Sequence, residues 1–552
     1  MTLPSRVYVI GLDGATWDIL GPWMDAGHLP TLASLRQQGT AGKLKSVVPP
    51  LTGPAFSSLM TGKNPGQHGV FDWLERAPDG YHLQPINGER IRGQRLWDIL
   101  SNHGKRVGIL NVPMTYPPRK VNGFLVSGLL TPKQEPTFTH PPELGHELKE
   151  TFDYRILPEL YYDRWRVDPW LEELHHIVDM RTDTALYLLE TFQPDFFMLH
   201  FFVIDLIQHG LWHTVDATHP DHDTPHGRRY ANAILELYQH IDCSIKRLVE
   251  RADEDTNFLI ISDHGFGSVR KYIYVNTLLE KMGFLKFKTD LLTRIKVAMF
   301  RLGITPARVY RLFMRLGMLN FGLSKGKGER QELVRRFFLS ADNIDWSRTQ
   351  AYAHGNIGQI FINTLGREPQ GIVRGGEERE ELVGKIIQCL KEVTDPETGE
   401  KIIQQIFRRE EIYSGDALSD APDILMLPER LEYQALGASE FISNQVLEPS
   451  FAFSGEHRLY GILIAAGPDI KVNPNLLEAN LVDIAPTVLH LMNLPVPEDM
   501  DGQVVVEILS PDLLNRRSIE YSSTTHGEVQ ESGYSLQDEK EIVDRLHRLG
   551  YV

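Results

Sequence analysis

The chain has 552 residues, 42% hydrophobic and 24% charged, a composition that excludes disorder and leaves ample length for a large core. Its 57 Lys/Arg against 73 Asp/Glu give a net charge of −16; no nucleic-acid binding is expected of such a chain, although a small anionic substrate stays admissible where metal ions reverse the local field. Cys243 and Cys389 are the two cysteines, too few for a disulfide framework or a cysteine zinc site, and Met1–Arg6 enters an apolar run without the apolar core of a signal peptide, so a soluble, cytoplasmic protein is expected.

In chain order, the apolar run Val7–Leu12 reads as a buried strand ending at Asp13, and Pro30–Gln38 has helical periodicity. Thr52 stands at the end of an expected strand, before a helix-like Ala55–Met60. Further buried strands are expected at Val107–Leu110, Phe196–Ile204, Phe258–Ile261 and Ile462–Ala466, with a long helix over Ala231–Ala252. Strands alternating with helices predict an α/β fold with a mostly parallel central sheet flanked by helices. In such sheets the functional groups gather at the carboxyl ends of strands. Asp13, Asp205 and Ser262-Asp263-His264-Gly265 all leave apolar runs at that end.

One segment departs from this pattern. Lys281–Arg336 holds fourteen Lys/Arg against Asp290, Glu329 and Glu332 in an otherwise acidic chain. Val309, Leu312, Phe313 and Leu316 recur at helical spacing, and Ser324–Gly328 reads as a flexible break. A helical basic insertion over about 281–345 is expected within a catalytic domain spanning 1–517, with a charged tail over 518–552. Three readings of the insertion stay open: a solvated cap, a lid that adds positive charge over an anionic substrate, or a peripheral contact with an anionic membrane surface.

The candidate ligands are Asp13, Asp205, His209, Asp263, His264 and His457. Asp205 and His209, four apart, share one face of a helical turn. Imidazole and carboxylate together suit zinc, manganese or iron better than calcium. Two divalent ions against three Asp carboxylates leave a positive site that attracts phosphate. Thr52, close to helix N-terminal amides, supplies a hydroxyl that metal coordination can activate.

These residues stand in a familiar order. Gly11-Leu12-Asp13-Gly14, Thr52 with Thr61-Gly62…Pro65…His68-Gly69, Asp205-x-x-x-His209, Ser262-Asp263-His264-Gly265, Gly455-Glu456-His457 and Asp483-Ile484-Ala485-Pro486-Thr487 resemble the alkaline phosphatase superfamily. Within it, the chain is similar to the type I phosphodiesterase/nucleotide pyrophosphatase branch, from about Val7 to Asp501. The resemblance implies an alkaline-phosphatase-like core and two divalent metal ions, zinc expected and manganese or iron as alternatives. It assigns Asp205, His209 and His457 to one ion, Asp13, Asp263 and His264 to the other beside Thr52, and a phosphate contact to the Gly53 N–H. It further implies cleavage of phosphodiester or pyrophosphate bonds in a small phosphate-ester or nucleotide-like substrate, through a covalent phospho-threonine.

The pattern is not complete. Family nucleotide pyrophosphatases place an Asn about twenty residues beyond the threonine, where this chain reads Phe71-Asp72-Trp73. Two alternatives therefore stand: a phosphotransferase, mutase or phosphomonoesterase of the same superfamily, and a non-catalytic module that binds anionic surfaces. Thr52-Gly53-Pro54-Ala55-Phe56 lacks the modifiable residue and arginine of sulfatases. His68 is expected in a structural hydrogen-bonding role. The histidines from His213 to His226 are expected on a solvated loop, with a third metal as the alternative there, and Arg408-Arg409 as surface charge.

Overall fold

The computed structural model describes the chain except residues 1–5, 134, 136, 316–335, 404, 429–431, 438–440, 451–452, 524–532 and 550–552. A nine-stranded sheet forms the main core, in the order Asn473–Asn480, Thr40–Lys45, Tyr460–Ala466, Thr256–Ile261, Arg6–Leu12, Phe196–Phe201, Val107–Val112, Gly123–Ser127 and Thr139–His140. The pairings are parallel except around Tyr460–Ala466 and at the Thr139–His140 edge. Val7, Val9, Leu199, Leu259 and Ile260 are all buried, because a parallel sheet covered on both faces gives each strand a near-continuous apolar run. Flanking helices fall into two groups, one with Pro30–Gln38, Val167–Phe192 and Ala233–Arg251, the other with Thr52–Thr61, Leu96–Asn102 and Ile484–Leu491.

All five expected apolar strands lie in this sheet, and Pro30–Gln38 is helical over its expected span. Two boundaries move. The Phe196 strand stops at Phe201 and a helix starts at Val203, so Asp205 sits in a first helical turn. Thr52 is itself the first residue of a helix running to Thr61, with six residues between it and the end of Thr40–Lys45.

After Gly265–Ser268 the chain leaves this core, and it returns through Gly455–Arg458, which pairs antiparallel with the departing strand. Between them lies a second hydrophobic core from Ile273 to Leu447. It carries an antiparallel sheet of Ala351–His354, Gln359–Ile362, Ile424–Leu427 and Gln405–Arg408, and a smaller sheet around Lys271–Tyr274. Helices Leu291–Arg301 and Pro306–Arg315 belong to the basic stretch; Ser324–Gly328 lies outside the described residues. Arg409, expected as surface charge, instead closes with Arg367 and Arg379 on the buried Asp423. In the charged tail, helix Leu536–Leu549 buries Ile542, Leu546 and Leu549 against the main core. Among the described residues no helix is long and apolar enough to cross a membrane.

Candidate metal centre and nucleophile

Register brings the expected ligands together. Arg6–Leu12 lies between Phe196–Phe201 and Thr256–Ile261, with Gly11 level with His200 and with Ile261. Asp13, Asp205 and Asp263 therefore leave three adjacent parallel strands at one edge. Gly14 makes the exit possible: its φ of 66° is left-handed, and a Cβ there would lie 2.8 Å from Phe266. Its carbonyl accepts from Gln208 Nε2 at 2.9 Å. His457 arrives from far along the chain on the antiparallel ribbon, where it pairs with Phe266.

Two clusters result. His209 Nε2, His457 Nε2 and Asp205 Oδ1 are mutually 3.1–3.3 Å apart. Beside them, His264 Nε2 lies 3.4 Å from Asp13 Oδ1 and 3.3 Å from Asp263 Oδ2. Thr52 Oγ1 is 3.2 Å from the same nitrogen and wholly buried. All six expected ligands and Thr52 thus share one site.

Each imidazole is held in the same way. His209 Nδ1 donates to Gly455 O at 2.9 Å, His457 Nδ1 to Pro50 O at 3.0 Å and His264 Nδ1 to Gly265 O at 3.1 Å. These bonds place the ring proton on Nδ1 and present Nε2 to the centre, the tautomer a metal ligand needs.

The electrostatics of the site ask for cations. Burial, with repulsion from Asp263 and Asp205, holds the Asp13 carboxyl well above its ordinary range. Burial pushes Asp263 up to about 7 against the pull of His457. Against its own burial, Asp205 is held well below the carboxylate range by His209 and His457; against desolvation, His209 rises to about 9 through Asp205 and Glu456 together with its bond to Gly455. Among the described residues, both oxygens of Asp13 and Oδ2 of Asp263 are buried without a hydrogen-bond partner, an arrangement expensive for carboxylates alone. Divalent cations fit it: ligand atoms of Asp13, Asp263 and His264 lie within 4.8 Å of one another, as do those of Asp205, His264 and His457.

Sequence reasoning missed two neighbours. Glu456 Oε1 lies 3.6 Å from His457 Nε2 and clusters with His209 and His457; its position inside Gly455-Glu456-His457 was the available signal. His200 Nε2 lies 3.1 Å from Asp13 Oδ2, and its signal was a lone imidazole in the apolar run Phe196–Phe201.

Thr52 and Gly53 open a helix whose first N–H groups have no carbonyl one turn earlier within it. A side chain on Gly53 would meet Trp73 at 3.0 Å, so this approach needs glycine. Asp72 does not replace the family Asn as a donor here: its Oδ1 accepts from Trp73 N at 2.6 Å, and its Oδ2 lies against Gly355 of the second core.

The flanking motifs act as supports. His68 accepts from Val70 N at 3.1 Å and bonds Ser58 Oγ at 2.8 Å, with burial lowering its pKa to about 3. Asp501 accepts from Asn64 Nδ2 and Gln67 Nε2, both at 2.8 Å, and Thr487 Oγ1 donates to Asp483 O at 2.6 Å. His213 and His219 are buried rather than solvated; His213 meets Ser454 Oγ at 3.1 Å and His226 at 3.2 Å, bracing the segment that carries His457. Among the described residues they form no candidate metal cluster.

Beside His457 opens a cavity of about 300 Å³, lined by Trp17, Lys43 and Arg458 of the main core and by Asn356, Ile357 and Tyr433 of the second.

The model of the type I phosphodiesterase/nucleotide pyrophosphatase family matches residues 7–433, and the chain belongs to that family, a branch of the alkaline phosphatase superfamily. It is a hydrolase of this branch, a phosphohydrolase acting on phosphodiester or pyrophosphate bonds, with candidate divalent-metal clusters. Among solved structures, phosphonoacetate hydrolase from Sinorhizobium meliloti 1021 in complex with phosphonoformate is similar over 89% of this chain and 95% of that one, at 14% identity and a TM-score of 0.50. The same enzyme in complex with phosphonoacetate gives 14% identity and a TM-score of 0.49 over the same shares. Human ectonucleotide pyrophosphatase/phosphodiesterase 5 gives 13% and 0.49 over 92% of this chain and 100% of that one. At such identities the first likeness speaks for the fold alone. No significant match is found among curated proteins.

Proposed function

We propose that the chain hydrolyses a small, nucleotide-like phosphodiester or pyrophosphate through a covalent phosphothreonine at Thr52. Asp13, Asp263 and His264 hold one divalent ion in this reading, and Asp205, His209 and His457 the other. The observation that carries it is the common posture of His209, His264 and His457, each with Nδ1 given to a backbone carbonyl and Nε2 turned inward.

The ions, zinc foremost and manganese or iron compatible with the same donors, supply Lewis-acid charge to the oxygens entering and leaving phosphorus. The chain does the rest. Thr52 Oγ, at the first turn of its helix, forms the new P–O bond as the bond to the leaving alcohol or phosphate breaks. The Thr52 proton is released and the departing oxygen takes one up from solvent. Gly53 N–H, aimed along the helix axis, meets a phosphoryl oxygen. The cavity bounded by Trp17, Tyr433, Lys43 and Arg458 takes the organic group, with its aromatic faces for a ring and its cations for a second phosphate. Water then cleaves the Thr52 ester and restores the hydroxyl.

The test is hydrolysis of bis-p-nitrophenyl phosphate against p-nitrophenyl phosphate, with zinc and with manganese, for wild type and Thr52→Ala. The proposal expects a preference for the diester, and a fall of at least about 10³-fold in the variant. A Thr52-dependent preference for the monoester would move the reading to a phosphomonoesterase or mutase, and an unchanged rate in Thr52→Ala would remove the covalent mechanism.

A further inference from the structure

Helix Leu291–Arg301 is apolar on two sides. Capped by Asp290, whose carboxylate accepts from Thr293 N at 3.0 Å, it buries Thr293 and Phe300, and Phe300 meets Phe441 edge-on at 5.9 Å. That face anchors it to the second core. The opposite face carries Leu291, Ile295, Ala298 and, at the cap, Leu302, spaced i, i+4, i+7 and i+11. Leu291 is 74% exposed, Ile295 49% and Leu302 78%, and Leu292 and Ile304 beside them are exposed as well. On an ordinary surface helix this outward stripe would be polar. Scattered apolar residues need no explanation, but a continuous stripe marks a binding face.

Charge specifies the occupant. Arg294 and Arg301, on the flank of the same helix, line a cavity of about 450 Å³ with Lys286, Lys288 and Arg348, against Glu280 as the one lining carboxylate among the described residues. Glu280 approaches Arg301 at 3.6 Å and Asp345 lies 3.9 Å from Arg348, so among the described residues carboxylates answer only part of this charge. In a chain of net charge −16, this is a local positive pole beside an apolar ridge. Residues 316–335 of the same chain carry Lys325, Lys327, Arg330 and Arg335 against Glu329 and Glu332; like the cavity they are basic and do not complement it. A second copy seated on the same face would bring the same cations.

We propose that this face docks on an anionic phospholipid membrane, with Leu291, Ile295 and Leu302 entering the headgroup–acyl boundary and the Arg294/Arg301 cavity receiving lipid phosphate. A helix with an apolar stripe and flanking Lys/Arg lies in the interfacial plane in this way. The acidic remainder of the protein is repelled by the same surface, which fixes the orientation. Nothing in this docking depends on the chemistry proposed for Thr52.

The experiment is flotation of the full chain with vesicles of phosphatidylcholine alone and of phosphatidylcholine with phosphatidylserine at about two to one. Wild type should float with the anionic vesicles only, and less as salt is raised. Leu291→Ser/Ile295→Ser/Leu302→Ser should weaken binding at least about tenfold, and Lys288→Glu/Arg294→Glu should do the same through charge. Unchanged thermal unfolding of both variants shows that they fold. Failure of wild type to float overturns the proposal. So does equal binding to neutral vesicles, or wild-type binding by either variant. Sedimentation showing a dimer that the serine variant dissolves would assign the stripe to a second copy instead, and would equally overturn it. Suppression of flotation by millimolar inorganic phosphate, with no vesicle left bound, would make the cavity a free-phosphate site and the membrane reading wrong.

Discussion

Substituting Asp72→Asn tests the reasoning about buried carboxyls away from any metal ligand. Asp72 is 4% exposed at the seam between the two cores. Its Oδ2 lies 2.3 Å from the point a Gly355 Cβ would occupy, packed against the backbone of the second core. Ionisation would leave charge on a desolvated carboxyl whose hydrogen bonds from Trp73, Leu74 and Gln359 offset burial only in part. Burial accordingly raises the carboxyl from 3.8 to about 7. The folded chain then keeps a proton that the unfolded chain releases, so stability falls as pH rises between these values and stays low above. About three pH units at 1.36 kcal/mol each amount to about 4 kcal/mol in full. Between about pH 5 and about pH 8 the share is about 3 kcal/mol. Asn keeps the acceptor for Trp73 N and does not titrate. In urea unfolding, Asp72→Asn should gain about that amount over wild type on passing from the lower to the higher pH. Parallel pH dependences in variant and wild type would refute the argument.

Chelation should abolish hydrolysis and lower the unfolding midpoint, because it leaves Asp13, Asp205 and Asp263 buried together without cations. Zinc at a thousandfold above its dissociation constant should restore about 4 kcal/mol. With Asp263 raised to about 7, the metal-free protein loses stability as pH rises toward that value, so the gain from zinc should be larger at about pH 8 than at about pH 5. His68→Ala removes the acceptor of Val70 N–H and the partner of Ser58 and should cost roughly 2–4 kcal/mol in urea unfolding. Metal content measured by mass spectrometry should stay at wild type, as a support rather than a ligand requires.

Much of this site was legible in the sequence because its residues leave apolar strands, and a strand's end is visible wherever the apolar run stops. The strand-end rule pointed to Asp13 and Asp263 and helical spacing to Asp205 with His209, and the family order of the motifs assigned them to the site. His457 was not reachable in this way. It lies beyond the second core and is delivered by the pairing of Gly455–Arg458 with Gly265–Ser268, a long-range contact without a local signature; only its motif exposed it. The second core itself was hidden, since its short strands, Ala351–His354 and Gln359–Ile362 among them, are bounded by ordinary turns and carry no signal that separates them from the main core. His213 and His219 were misread because four histidines within fourteen residues, from His213 to His226, look solvated until a segment from elsewhere, Ser454, closes over them. Asp423 and its three arginines were invisible for the same reason: an ion cluster drawn from four elements leaves no spacing to read.

The most direct measurement of the central claim is the mass of the Thr52 peptide after acid quenching during turnover of bis-p-nitrophenyl phosphate. The account predicts a p-nitrophenyl phosphoryl group on Thr52, formed with the first released nitrophenol, absent without metal and absent in Thr52→Ser only if the serine ester is cleaved faster than it forms. Turnover with an unmodified Thr52 peptide at every quench time, together with full activity in Thr52→Ala, would contradict it.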